Sequence, residues 1–351
     1  MRIGIIGAGN IGRLRAQSVR QNPGTTLVAV MDASAEAARS AALGGARAVT
    51  ELHDFLALEL DVVIVSTPTH LHEEQCAAAL ASGRHVLCEK PLSNDAASCR
   101  RIVEAARQAR RCLATGFNMR YYPAFTFVKQ CVDEARIGRL DHVRLFGGHA
   151  GLSEFKADWQ YKAPHSGGGA MMDVGIHLSD LARWLLGEVV QVSGVMTESI
   201  WKVPGSEDNA MALFRNAHGV TATYHATWDE WTGYGVRVEA YGDRGMVRGS
   251  YAPMRNLLIT QETPGGPRTV EKRTYRGIEV REKLKSWKST ALLSFQNELA
   301  DFLSQIGGRD TGRNADGHAG QRTVEMAAAV RESTRSATII TLPHLGRMSL
   351  A

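Results

Sequence analysis

Short apolar runs separated by amphipathic stretches fill the first third of the chain. Ile3 to Ile6, Thr26 to Met31, Ala46 to Thr50, Asp61 to Ser66, His85 to Leu87 and Cys112 to Gly116 read as strands. The segments Asn10 to Gln21, Ser34 to Leu43, Thr69 to Ser82 and Asn94 to Arg110 between them carry helical periodicity. Such alternation predicts an α/β fold, a doubly wound parallel sheet covered on both faces, with ligands at the carboxyl ends of its strands. Near Asn118 the pattern changes. After a helix at about Pro123 to Glu134, strands dominate: Val143 to Gly147, Val189 to Ser199, Ala210 to Phe214, Val220 to Thr227, Val236 to Tyr241 and Met246 to Arg248. A helix from Met171 to Leu186 interrupts them, and helices at about Ser289 to Ile306 and His318 to Thr334 close the chain. The expected organisation is a Rossmann domain over 1–118, then an α+β domain over 119–351 with a large, mostly antiparallel open sheet. An open sheet face calls for a cover, and a second subunit is the economical one.

The first strand runs straight into Gly7-Ala8-Gly9-Asn10-Ile11-Gly12. A glycine at the turn, one where a pyrophosphate approaches the backbone and one where helix meets strand are what a dinucleotide site needs. The helix from Asn10 would aim its free N–H groups and positive end at the phosphates. Asp32 ends the second strand, where a carboxylate accepts from both adenosine ribose hydroxyls and repels a 2′-phosphate. NAD is therefore favoured over NADP, with Arg13 and Arg39 the residues that keep NADP open.

Composition adds little to this picture. The 351 residues are 44% apolar and 22% charged, ordinary for a two-domain globular protein. Of the net charge of +5, much sits between Arg268 and Lys288, a stretch read as a solvated arm or subunit contact rather than a nucleic-acid surface. The five cysteines (Cys76, Cys88, Cys99, Cys112, Cys131) are odd in number and lack CxxC spacing, which suits reduced thiols in a cytoplasmic protein. The apolar start is the first strand rather than a secretory leader, and no run approaches the ~20 residues a membrane span needs.

Two segments carry candidate chemistry. Lys90, in Cys88-Glu89-Lys90-Pro91, follows a strand directly, and the proline restricts it to extended dihedrals. An ammonium fixed there can hydrogen-bond a substrate hydroxyl and a ribose hydroxyl together. Downstream of Gly167-Gly168-Gly169, helical spacing places Asp173, His177 and Asp180 on one face. The helix start favours a neutral, proton-accepting His177, while Asp173 favours the imidazolium formed on proton uptake, a pairing that suits a general base. These three could instead ligate a metal, but no third strong ligand with metal-site spacing accompanies them, and no metal is expected. Thr69-His70-Leu71-His72-Glu73 is read as capping and cofactor-edge packing.

In order along the chain, the glycine turn, Ser66-Thr67-Pro68-Thr69-His70, Glu89-Lys90-Pro91, Asn118-Met119-Arg120-Tyr121-Tyr122-Pro123 and Ser166 to Asp180 follow the pattern of the glucose-fructose oxidoreductase / inositol dehydrogenase (Gfo/Idh/MocA) family. The chain resembles that family over essentially its whole length. The resemblance implies a tightly held NAD(P), a sugar or cyclitol substrate, and a homodimer or homotetramer joined through the C-terminal sheet. It makes Lys90 and His177 the catalytic pair and Asp173 the residue that orients substrate. It groups Gly7, Gly9, Asn10, Ile11, Gly12 and Asp32 around the adenosine half of the cofactor, with Ser66, Thr67, Pro68, His72, Glu89 and Lys90 toward the nicotinamide. Asn118 and Arg120 would line the junction of the domains. The substrate wall is expected from Phe155, Lys156, Trp159, His165, Trp228, Trp231 and Tyr234, with Gln160 standing where family members commonly carry Arg. The activity this implies is oxidation of a secondary ring hydroxyl of a sugar, aminosugar or cyclitol, or reduction of the matching ketone. Redox-neutral glycoside cleavage by oxidation and elimination is the alternative, and a non-catalytic sensor a more distant one.

Overall fold

The computed structural model describes residues 1–151, 157–263 and 265–343. Its first segment runs β1 (Arg2–Ile6), α1 (Asn10–Gln21), β2 (Thr26–Met31), α2 (Ala35–Ala41), β3 (Arg47–Val49), α3 (Leu52–Leu56), β4 (Val62–Val65), α4 (His72–Ala81), β5 (His85–Glu89), α5 (Ala96–Ala109) and β6 (Leu113–Gly116). The strands form one parallel sheet in the order β3-β2-β1-β4-β5-β6. Ile3, Ile5, Val62, Val63, Ile64 and Leu87 are fully buried or nearly so, because a parallel strand covered on both faces has no solvent side. The reversal of strand order between β1 and β4 creates the crevice at the carboxyl edge where dinucleotides bind.

The second segment runs α6 (Pro123–Asp133), β7 (Leu140–Gly148), α7 (Ala163–Ser166), α8 (Gly175–Leu186), β8 (Val189–Thr197), β9 (Asn209–Asn216), β10 (Thr221–Thr227), β11 (Gly235–Gly242), β12 (Gly245–Tyr251), β13 (Arg255–Gln261), β14 (Arg268–Thr274) and α9 (Arg276–Lys285). The chain ends with α10 (Lys288–Ile306), α11 (Gly317–Ser336) and β15 (Ile340–Thr341). Nine strands make one sheet, ordered β14-β13-β12-β11-β7-β10-β9-β8-β15, antiparallel throughout except where β10 meets β7. Strict alternation in β9, with Ala210, Ala212 and Phe214 buried and Met211 and Leu213 exposed, marks one helix-covered face and one open face. The fold class is thus the expected one.

The compact units divide the chain differently from the expected cut at residue 118. One comprises 1–121 and 284–324, the other 122–283 and 325–351. Residues 284–324, assigned from the sequence to the second domain, return to the first because α10 packs along α1 and sends Leu299 and Phe302 into the parallel-sheet core. Two further differences concern local structure. The basic stretch at 268–288, expected to be a solvated arm or subunit contact, forms the exposed edge strand β14 and helix α9, elements the periodicity did not reveal, and α8 begins at Gly175, four residues later than expected. Among the described residues no helix is long and apolar enough to cross a membrane.

Candidate active site

In the first unit the glycine turn has the shape a dinucleotide requires. Gly7 has φ +97°, a region open to glycine, and a Cβ there would lie 2.7 Å from the Ser66 carbonyl. A Cβ on Gly12 would strike the Gly7 carbonyl oxygen, so helix and strand could not close. At Gly9 a Cβ would meet nothing within 4 Å, leaving the backbone approachable. Helix α1 starts at Asn10 with no capping side chain and no acidic residue in its first turn, so its N-terminal donors stay available to an anion. Asp32 follows β2 and is held from both sides: Oδ2 accepts from Ala8 N–H at 2.7 Å and Oδ1 from Ser34 N–H at 2.9 Å. Each oxygen retains lone-pair capacity for a ribose hydroxyl. These residues fit an NAD.

The nicotinamide-side candidates also belong to this unit. His72, 1% exposed, faces two carbonyls: Nε2 lies 2.9 Å from Thr67 O and Nδ1 3.0 Å from Pro91 O. It thereby ties the Ser66-Thr67-Pro68 loop to the turn after β5. Burial holds its imidazole below the ordinary histidine value, although both carbonyls pull the other way. Thr67 Oγ1 donates to Gln75 Oε1 at 2.5 Å. Glu89 ends β5, and the Lys90 N–H lies 3.3 Å from its Oε2, with Lys90–Pro91 cis. Asn118 donates to Ser294 Oγ at 2.9 Å. Arg120 is 5% exposed, and its Nη1 donates to the Arg313 and Asn314 carbonyls at 3.1 and 3.3 Å. Arg120 therefore ties down the loop before α11.

In the second unit Asp173 lies in the turn that precedes α8, not on the helix itself, and His177 sits in the first helical turn, 6% exposed. That turn is pinned by Glu207, whose carboxylate accepts from Gly169 N–H at 3.1 Å and Met171 N–H at 2.8 Å. Burial pushes the Glu207 carboxyl above the usual range, and the two amides counter it. The Asp173 carboxylate is itself held. His149 Nδ1 accepts the Gly151 N–H at 3.1 Å, which leaves the proton on Nε2 to donate to Asp173 Oδ2 at 2.7 Å. Trp228 Nε1 donates to the same oxygen at 3.2 Å. Asp180 is 1% exposed, on a helix buried on nearly every side because α8 lies against β7 and β10.

The expected substrate wall is only partly a wall. Trp228 is 1% exposed and serves Asp173, while the Tyr234 ring stacks on His149 with centroids 6.3 Å apart. Trp231 is 93% exposed. Trp159 and His165 are half-buried, on a 3₁₀ turn and on α7. Phe155 and Lys156 lie outside the described residues. Sequence reasoning did not find His149 or Glu207. A single histidine after a strand has no motif, and a buried glutamate far downstream of the turn it pins has no local signal.

A six-stranded dinucleotide sheet with this glycine turn and Asp32, joined to a nine-stranded sheet carrying Asp173 and His177, defines a nicotinamide-dependent oxidoreductase of two units. The comparisons name the group: the chain belongs to the Gfo/Idh/MocA family, with residues 1–117 matching its NAD-binding Rossmann oxidoreductase domain and 125–248 its C-terminal domain. Among its relatives, inositol 2-dehydrogenase of Acidothermus cellulolyticus is 30% identical over 349 residues, 97% of this chain and 94% of that one. The 1,5-anhydro-D-fructose reductase of Ensifer adhaerens is 33% identical over 272 residues, 75% and 78% of the two chains. The crystal structure of an oxidoreductase domain protein from Kribbella flavida superposes with a TM-score of 0.84 at 25% identity, covering 97% of this chain and 99% of that one.

Proposed function

We propose that this protein is an NAD-dependent dehydrogenase of a secondary ring hydroxyl on a sugar, aminosugar or cyclitol, working in either direction. The observation that carries the reading is Asp173, fixed by His149 and Trp228 next to His177, in a chain whose relatives include an inositol 2-dehydrogenase and an anhydro-sugar reductase. Gly7, Gly9, Asn10, Ile11, Gly12 and Asp32 hold the adenosine half of NAD, and Ser66, Thr67, Pro68, His72, Glu89 and Asn118 shape the other. NAD supplies the hydride acceptor. The His177 imidazole takes the proton of the reacting hydroxyl, the Lys90 ammonium donates to the oxygen as negative charge builds there, and Asp173 orients His177 and a neighbouring hydroxyl. Arg120, Trp159, His165 and Lys156 complete the proposed substrate contacts.

The test is absorbance of reduced nicotinamide with NAD or NADP and a panel of sugars, aminosugars, cyclitols and glycosides. Reduction with a free sugar or cyclitol is expected. Release of an aglycone with no net reduction would replace the dehydrogenase by a redox-neutral glycosidase. A variant checks the Asp173 anchor: His149→Phe removes a charge-assisted hydrogen bond of about 1.5–3 kcal/mol, so kcat/KM should fall about 10-fold or more while NADH affinity holds. Unchanged kcat/KM would remove His149 from the site.

The open face of the nine-stranded sheet supports a homo-oligomer. Cross-strand partners Val195, Met211, His225, Phe146 and Arg237 form one continuous row, on which Val195 is 62% and Met211 48% exposed, and Leu213 beside them is 56% exposed. Sedimentation should give a multiple of 38.2 kDa that Leu213→Lys reduces to the single-chain mass. A native monomer would refute this. A reducing, cytoplasmic setting belongs to this reading and is checked by counting alkylated thiols in protein taken from cells without reductant.

A further inference from the structure

Glu89, next to Lys90 in the chain, belongs to a buried charge cluster of the first unit whose other members, Arg15 and Glu298, the proposed chemistry leaves unused. Arg15, on α1, is fully buried, with its guanidinium 3.8 Å above the Phe295 ring. It meets two carboxylates. Its Nε donates to Glu89 Oε1 at 2.7 Å and its Nη2 lies 2.6 Å from the same oxygen, while its Nη1 lies 2.5 Å from Glu298 Oε2 on α10. The Glu298 side chain is 1% exposed and that of Glu89 12%. The one guanidinium in ion-pair contact does not neutralise two ionised carboxylates, and even with Arg120 also facing Glu298 the burial of a second anion favours holding a proton. Other groups face the cluster: Arg120 and Tyr121 from the turn after β6, Asp301 from α10, and His72 and Cys88 beside Glu89. Burial, opposed by Arg15, pushes the Glu298 carboxyl up to about 7, and Glu89 adds to the push.

We propose that Arg15, Glu89 and Glu298 form a positioning cluster for Lys90, in which the proton on Glu298 decides how fully Arg15 commits to Glu89. With Glu298 neutral, the guanidinium belongs to Glu89, the residue that immediately precedes Lys90 and receives its N–H. With Glu298 ionised, the same guanidinium is shared with α10, and the Glu89–Lys90 turn is held less firmly. The effect is expected on turnover, since Glu298, whose proton is varied, is not among the residues proposed to hold NAD. This inference rests on Lys90 being the catalytic ammonium.

The test reads the proton and the turnover separately. In the native protein, infrared difference spectra should show a protonated carboxyl that ionises near neutral pH, and Glu298→Gln should abolish that band. The same variant should raise the ratio of kcat at about pH 9 to kcat at about pH 6 by about threefold, with KM for NAD unchanged. Stability has a defined sign. A carboxyl raised in the folded protein from 4.5 to about 7 keeps a proton that the unfolded chain gives up, so native stability falls as pH rises across that window. Thermal melts of Glu298→Gln should lack that component. Absence of a titrating carboxyl, or a kcat profile of Glu298→Gln that superimposes on the native one, overturns the proposal. Failure of the Lys90 assignment has a different signature: Lys90→Ala would turn over at a near-native rate while the carboxyl band persisted.

Discussion

Replacing His177 with alanine is expected to lower kcat for the ring alcohol by about 10²- to 10⁴-fold, the range over which a positioned general base acts. The expectation follows from its placement. His177 lies buried in the first turn of α8, one turn after Asp173. Asp173, in the turn just before, has its carboxylate held by His149 and Trp228, which is what the proposed role of orienting the base requires. NADH affinity, which the proposed function assigns to the glycine turn and Asp32, should stay within about twofold. Steady-state kinetics with a fluorescence titration of NADH separate the two quantities. Native-like turnover in His177→Ala would move the base elsewhere, whatever became of KM.

The sequence was most legible where one local pattern has one physical solution. The glycine turn had to join a strand to a helix, and α1 occupies Asn10–Gln21 as expected. Elements without such a pattern were missed. Helix α3 is five residues long, too short to show a period, and β14 is exposed at nearly every position, so it has no buried face to alternate. Periodicity identified the apolar stripe of α10 but not the core it would join, and Leu299 and Phe302 proved to belong to the parallel sheet. Similarly, the 171–180 segment looked helical throughout. Glu207 takes the amides of Gly169 and Met171 and delays the helix to Gly175, a long-range event that leaves no trace in the segment's own residues. The glycine-turn residues and the order of the motifs could be read in advance, but the residues that hold the motifs could not. Arg15, His149 and Glu298 are ordinary letters in a helix, a strand end and a helix.

Lys90→Ala is expected to lower turnover by about 10²-fold or more, close to the loss seen when one donor to a developing oxyanion is removed. The expectation follows from where the backbone places this residue. Glu89 closes β5 at the carboxyl edge of the sheet, so Lys90 begins the turn that His72 ties to the Ser66-Thr67-Pro68 loop through the Pro91 and Thr67 carbonyls. The backbone that carries the ammonium is thus held by buried His72, so the side chain starts from a fixed point at each encounter. Because the donor matters most when charge accumulates on the oxygen, the loss should fall on kcat and kcat/KM together, with NAD binding far less affected. Lys90→Arg should recover little, since a planar guanidinium cannot place a donor where a compact ammonium does. Tight NAD binding with near-normal turnover in Lys90→Ala would show that the ammonium only lines the site, and stabilisation of the oxyanion would then have to come from another group.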